Sequence, residues 1–68
     1  MQTFNLTSEY IEMNKLMKLL KMVETGGQAK ILISQWAVSV NGEQELRLRK
    51  KLRKGDVINV DWAEVTVV

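Results

Sequence analysis

The strongest chemical signal in this 68-residue sequence is the eight-residue segment RLRKKLRK, positions 47 to 54. Its three arginines can each donate two parallel hydrogen bonds to one phosphate. Cations this close together repel one another unless anions lie nearby, which favours phosphate binding. The alternative is a solvated segment anchored by Leu48 and Leu52. The two interpretations are compatible, because leucines four residues apart can face the core while the cations face outward. The six cations are Arg47, Arg49, Lys50, Lys51, Arg53 and Lys54.

A second set of cations, Lys15, Lys18 and Lys21, recurs every three residues in a segment of helical pattern. The favoured interpretation is a solvated helix face that keeps the protein in solution. If this face lies beside the 47–54 segment, Lys18 and Lys21 would widen the basic surface, so both are candidate contacts.

The stretch TGGQAKILISQW, positions 25 to 36, begins with two glycines and could hold an anion. A helix N-terminus has unpaired N–H groups and a partial positive charge, and glycine lets a phosphate approach closely. We therefore take Gly27, Gln28 and Lys30 as candidate contacts. The competing interpretation makes a glycine the residue that ends the preceding helix. This helix-ending interpretation is favoured for Gly26 alone. For the Gly26-Gly27 pair followed by Lys30, the helix-ending and anion-binding interpretations are equally supported.

Catalytic and metal chemistry find little support in the residue types. The chain has no cysteine and no histidine, and its eight acidic residues are scattered. We expect no enzyme activity, no cofactor and no metal site. No apolar run approaches the roughly 20 residues that span a bilayer, and the N-terminus lacks the pattern of a secretion signal. We therefore predict a cytoplasmic protein that does not contact a membrane.

The elements that would position these residues follow from hydrophobic periodicity. The pattern predicts an α+β domain of order ββ-αα-βββ(β), with two short strands in 2–12, helices over 14–23 and 29–36, and strands around 38–40, 57–60 and 65–68. The first helix would be capped by Asn14, and the second by Thr25 or a glycine. Asn41-Gly42 predicts a turn. Residues 45–54 are too charged for a core strand. Residues 61–64 should form a turn between the last two strands. Asp56 is expected to bond backbone amides of its turn. The predicted apolar stripes are Leu16, Leu19, Leu20 and Val23, then Ala29, Leu32, Ile33 and Trp36.

The aromatic residues are few, and Trp36 is assigned to the core because it lies on the second stripe. Trp62, in a predicted turn beside Asp61 and Glu64, should be more open. With so little aromatic content, recognition of a nucleic acid by shape and charge is favoured over reading of unstacked bases.

Residues 15 to 60 resemble the S4 domain, a small RNA-binding module. Leu16 and Leu20 match its first helix, 38–42 (VSVNG) its strand and turn, and 55–60 (GDVINV) its closing motif. The GG.AK version after a short β segment is most similar to stand-alone bacterial S4-like proteins of the YaaA/YbcJ type. Two positions depart from the family pattern: Gly26-Gly27 replaces the usual SR, and Trp36 replaces a glycine.

The resemblance implies a single S4-like (alpha-L) domain over 1–68, with a helical hairpin packed on a small, mainly antiparallel sheet. It implies binding of structured RNA, ribosomal or tRNA-like, in ribosome assembly, translation or RNA quality control, by a monomer that could act on a ribosomal subunit. The alternative is a protein-interaction module whose basic segment docks on an acidic partner, and DNA binding is a weaker third option. The expected RNA contacts are Gly27, Gln28, Lys30, Arg47, Arg49, Lys50, Lys51, Arg53, Lys18 and Lys21.

Overall fold

A computed structural model describes residues 2–68. Its elements, in chain order, are β1 (Gln2–Phe4), β2 (Ile11–Glu12), α1 (Met13–Leu19), α2 (Gly26–Ser34), β3 (Ser39–Val40), β4 (Glu43–Gln44), β5 (Lys51–Leu52), β6 (Val57–Val60) and β7 (Ala63–Val67). The fold is α+β, as predicted, with five strands after the helices where the sequence indicated three or four.

The main sheet has five strands in the order β1-β7-β6-β3-β4. Only β1 and β7 run parallel, and the other pairs are antiparallel, so the sheet is mainly antiparallel as expected. Strands β2 and β5 form a separate two-stranded sheet, with Ile11 opposite Leu52. A charged segment can supply this strand because Leu52 is fully buried while its neighbour Lys51 faces solvent. The expectation that 45–54 is too charged for a core strand therefore holds only for the main sheet.

One apolar cluster holds the two helices against the sheet. A small domain without disulfides depends on such burial for its stability. The buried members are Leu6, Ile11, Met13, Leu16, Met17, Val23, Ala29, Ile33, Val38, Val40, Leu52, Ile58, Val60, Val65 and Val67.

Helix α1 is shorter than predicted and is capped differently. It spans Met13–Leu19, and its buried face consists of Met13, Leu16 and Met17. Leu19, the last residue of the helix, lies to one side of that face and is 57% exposed. Lys21 has a φ of 59°, and the bonds from Lys21 N–H to Lys18 O and from Met22 N–H to Met17 O close the helix end. These bonds form a Schellman motif, which usually has glycine at the left-handed position.

Asn14 does not cap α1, contrary to the prediction. It lies within the helix, where its N–H donates to the carbonyl of Leu48 at 3.1 Å, and Glu12 is the N-cap residue. The Oδ1 of Asn14 is buried and has no partner among residues 2–68.

Helix α2 begins with the two glycines and has Thr25 as its N-cap. Thr25 Oγ1 accepts from Gln28 N–H at 3.2 Å. This confirms Thr25 as the cap, one of the two alternatives that the sequence predicted. Because Lys21 ends α1, the interpretation of Gly26 as the end of the first helix is wrong. Neither glycine has positive φ, and a Cβ added at Gly26 would meet nothing within 4 Å.

Trp36 lies outside the core, which contradicts its predicted burial. Helix α2 ends at Ser34, and Trp36 follows with a φ of 63°. The bonds from Trp36 N–H to Ile33 O and from Ala37 N–H to Leu32 O form a second Schellman motif. The left-handed turn rotates the indole away from the stripe of Ala29 and Ile33 and leaves Trp36 67% exposed.

Two turns of the main sheet follow their predicted chemistry. Asn41 and Gly42 both have positive φ and link β3 to β4 as a two-residue hairpin, the conformation that an Asn-Gly pair favours. Asp61 and Trp62 link β6 to β7, a shorter turn than the predicted 61–64, and Trp62 is exposed as expected.

Candidate nucleic-acid interface

The basic segment is anchored by its apolar residues and by its backbone. Leu52 is fully buried, and Leu48 packs partly buried against the same core, as predicted. The carbonyls of Lys50 and Leu48 accept from Met13 N–H at 2.8 Å and Asn14 N–H at 3.1 Å. The first turn of α1 thereby gains partners for N–H groups that its own helix cannot satisfy. With leucines and carbonyls turned inward, the charged side chains face outward.

Five of the six cations line one concave surface of 360 Å³, here called the basic depression. A depression surrounded by one sign of charge concentrates anions more strongly than separate surface charges do. The lining residues are Arg47, Arg49, Lys50, Lys51 and Arg53, and each was predicted as a contact.

Each arginine of the segment has a glutamate nearby. Arg49 Nε lies 3.1 Å from Glu12 Oε2, and Arg53 Nη1 lies 4.0 Å from Glu9 Oε1. The sequence predicted mutual repulsion in the absence of nearby anions, and these carboxylates relieve part of it. Within residues 2–68, Lys50 and Lys51 have no carboxylate oxygen within 4.0 Å.

The third pair, Arg47 with Glu45, has the most complete geometry. Arg47 donates from its backbone N–H and its Nε to Glu45 Oε2 at 2.9 and 3.0 Å, and from Nη2 to Oε1 at 3.2 Å. These bonds hold the pKa of the nearly buried Glu45 below its ordinary value, against a smaller opposing effect of burial. Glu45 therefore remains charged at neutral pH and fixes one edge of the depression.

Tyr10 contributes to this surface, although the sequence gave no reason to select it. Lys51 Nζ lies 4.8 Å from the centre of the phenol ring, and Arg53 Cζ lies 5.7 Å from it. A cation over an aromatic face is held by the quadrupole of the ring. Tyr10 directly precedes β2, which pairs with β5, so strand pairing brings it there across about forty residues of chain.

The far end of the segment is fixed by a turn. Asp56 Oδ2 accepts from Arg53 N–H at 2.8 Å, as predicted, and its Oδ1 accepts from Asn41 Nδ2 at 3.0 Å. Asn41 Oδ1 also accepts from Val57 N–H at 2.9 Å. These bonds tie the β3–β4 hairpin to the end of the basic segment.

The remaining predicted contacts lie on the helical hairpin and do not line the basic depression. Gly27, Gln28 and Lys30 lie in the first turns of α2 and are exposed. Gln28 Oε1 accepts from Glu24 N–H at 2.6 Å, so this side chain supports the cap. Lys18 lies in the last turn of α1 and Lys21 just beyond it, away from the N-terminal end that contacts the basic segment. The structure thus groups five predicted residues and leaves the other five as a separate set.

Two further observations concern metal groups and membrane spans. In the part of the chain that the structure describes, no three acidic side chains group as a metal site would require. No helix among residues 2–68 is long and apolar enough to cross a membrane. The basic depression presents cations on a concave surface whose backbone is hydrogen-bonded to the start of α1.

The fold and site together define a small α+β domain that presents a fixed basic surface. Residues 4–68 match the S4 domain family. This chain therefore belongs to the S4 domain family, which confirms the resemblance that its sequence motifs suggested. The match extends beyond the 15–60 region on which that resemblance was based.

Two relatives cover most of the chain. One, from Escherichia coli (strain K12), bears the name "Putative RNA-binding protein YbcJ" and is 38% identical over 69 residues, with 100% of this chain and 99% of that protein covered. The other, from Bacillus subtilis (strain 168), bears the name "Probable ribosome maturation protein RlbA" and is 33% identical over 57 residues, covering 84% of this chain and 80% of that protein. No solved structure matches the chain.

Proposed function

We propose that this protein binds structured RNA by holding its phosphate backbone in the basic depression. The observation that carries the proposal is the convergence of five cations on one concave surface whose backbone is fixed. RNA helices are recognised mostly through their shape, phosphates and sugar hydroxyls, which suits a surface of this kind.

The cations would divide the work according to their partners. Lys50 and Lys51, which have no carboxylate partner among residues 2–68, would attract phosphate first. Arg49 uses its Nε for Glu12, which leaves its two terminal nitrogens for a forked bond to phosphate. Every phosphate neutralised releases counterions, so affinity should fall steeply with salt.

The helical hairpin is proposed as a second, weaker RNA-contacting surface. Gly27, Gln28 and Lys30 at the start of α2, together with Lys18 and Lys21 at the end of α1, would contact RNA that extends beyond the basic depression. The glycines support this, because they cost helix stability without serving positive φ or close packing.

The names of two relatives support a proposal about the wider role. One is named for RNA binding and the other for ribosome maturation. We infer a role in ribosome assembly or translation, on ribosomal or tRNA-like RNA, for a cytoplasmic, monomeric, non-enzymatic protein whose single domain spans 1–68.

The proposal is tested with a short blunt-ended RNA duplex and two matched charge reversals. Lys50 lines the depression, whereas Lys54 is exposed in the same segment and does not line it. Loss of one charged hydrogen bond in Lys50→Glu should weaken binding about tenfold or more in fluorescence anisotropy at constant salt. Lys54→Glu should have a much smaller effect, since it changes only the screened long-range field.

The alternative of an acidic protein partner is separated by capture from lysate with and without nuclease. RNA binding predicts that the wild type retains RNA before nuclease treatment and that Lys50→Glu retains far less. If the wild type captures no RNA, and both reversals bind the duplex as the wild type does, RNA binding by this depression is excluded.

A further inference from the structure

Trp36 occupies a conformation that its own packing does not require. Its φ of 63° lies in the left-handed region, which bulky residues rarely adopt, and 67% of the residue is exposed. A glycine would complete the same Schellman motif without this strain. The large ring is therefore held in solvent at a position where the fold would favour no side chain at all.

The indole borders a mainly polar depression of 370 Å³ on the main sheet, here called the Trp36 depression. Strand register places Gln44, Ser39 and Asn59 side by side, since Ser39 pairs with both of the others. Their amides and hydroxyl offer donors and acceptors in the same depression that the aromatic ring lines. The full lining is Trp36, Ala37, Val38, Ser39, Gly42, Gln44, Asn59, Val60 and Asp61.

The Trp36 depression is connected to the basic depression by a third concave surface along the β3–β4 hairpin. This linking surface has a volume of 220 Å³ and includes Arg47 and Lys50, which also line the basic depression. It also includes Gln44, which lines the Trp36 depression, and two glutamates, Glu43 and Glu45, the second of which is paired with Arg47. A chain whose phosphates lie on Arg47 and Lys50 can therefore continue along the hairpin toward the indole with its phosphates turned away from Glu43.

We propose that the Trp36 depression binds one unpaired nucleobase, stacked on the indole and hydrogen-bonded at its edge by Ser39, Gln44 or Asn59. This rests on the proposed function and adds a single-stranded feature to its RNA ligand. A phosphate does not suit the depression, because its lining contains no cation and includes the carboxylate of Asp61. A base suits it, because unpaired bases bind by aromatic stacking and by hydrogen bonds to their edges.

The test compares the blunt-ended RNA duplex with the same duplex carrying a single-stranded 3′ overhang. Stacking of one base should make the wild type bind the overhang RNA about 5- to 150-fold more tightly than the blunt RNA. Trp36→Gly should bind both RNAs with the wild type's affinity for the blunt duplex. If Trp36→Gly fails to fold, Trp36→Asn replaces it, since asparagine also tolerates positive φ.

Fluorescence provides an independent readout in a Trp62→Phe background, where Trp36 is the sole tryptophan. Titration with overhang RNA should quench its emission, and the blunt duplex should not. Quenching that depends on protein concentration without RNA would instead show that a second copy of the chain covers the indole, and would overturn the proposal.

The outcomes separate this inference from the proposed function. Equal wild-type affinity for both RNAs, or an overhang advantage that survives Trp36→Gly, overturns base binding even if Lys50→Glu weakens both complexes. If Lys50→Glu and Lys54→Glu leave both affinities unchanged, the proposed function fails and base binding fails with it.

Discussion

Removal of the carboxylate beside Arg49 should strengthen RNA binding while it weakens the fold. Glu12 Oε2 lies 3.1 Å from Arg49 Nε and occupies one side of the guanidinium. A phosphate on the outer nitrogens would lie about 6 Å from this carboxylate, where two unit charges repel by about 0.7 kcal/mol in water and about 3 kcal/mol at an effective dielectric constant of 20. Because the Arg49 side chain is 73% exposed, the lower figure applies.

We therefore expect Glu12→Gln to raise affinity for the blunt RNA duplex about threefold. The same change should lower the free energy of unfolding by about 0.2–1 kcal/mol, the usual contribution of an exposed ion pair. Affinity is measured by fluorescence anisotropy at fixed salt, and stability by urea denaturation.

Glu64→Gln is the matched control, because it makes the same change in net charge near the β6–β7 turn. Glu64 pairs with Asn59 in the strand register, at the end of β7 away from the 53–56 turn. It should leave duplex affinity close to that of the wild type. If Glu12→Gln instead weakens binding while the protein remains folded, Glu12 positions Arg49 for RNA, and the view that it competes with phosphate is wrong.

Three further predictions concern stability, each measured by urea denaturation. Gly26→Ala should stabilise the fold by about 0.5 kcal/mol, because the site is open and has helical φ. Gly55→Ala should destabilise the fold by about 1–2 kcal/mol, because Gly55 has a φ of 98°. Equal effects of the two substitutions would contradict the assigned conformations. Lys21→Gly should stabilise by up to about 1 kcal/mol through relief of the left-handed conformation, and a loss of stability would contradict that strain. Because Arg47 holds the pKa of Glu45 below 4.5, their pair contributes stability above that pH and loses it as pH falls through the lower, folded-state value. Glu45→Gln should therefore flatten the acid branch of the stability curve, and an unchanged branch would exclude this pair as its source.

The features that the sequence predicted well have local signals. Asn41-Gly42 and the Asp56 turn depend on residues a few positions apart, and the structure confirms both. The burial of Leu52 followed from its spacing to Leu48. Periodicity likewise placed Ala29 correctly in the core.

The predictions that failed required information that a pattern does not carry. Extending the apolar stripe to Trp36 assumed that α2 continues past Ser34, and no glycine or asparagine marked the left-handed turn there. The early end of α1 was also missed, because no glycine or asparagine marked the left-handed conformation of Lys21. The pair of Arg49 with Glu12 spans 37 positions in the chain, so only the pairing of β2 with β5 brings it together.

The way the basic segment is attached explains why its side chains, rather than the N-terminus of α1, are proposed to bind phosphate. The carbonyls of Leu48 and Lys50 occupy the N–H groups at the start of α1, so the partial positive charge there is already matched within the protein. The same bonds set the distance between α1 and the cations. Two of the arginines, Arg47 and Arg49, are hydrogen-bonded to glutamates, which fixes the direction of their guanidinium groups without neutralising the neighbouring lysines. An incoming RNA would meet an ordered set of cations, so little conformational entropy would be lost in arranging them. Under this condition a small basic surface can discriminate the shape of its ligand.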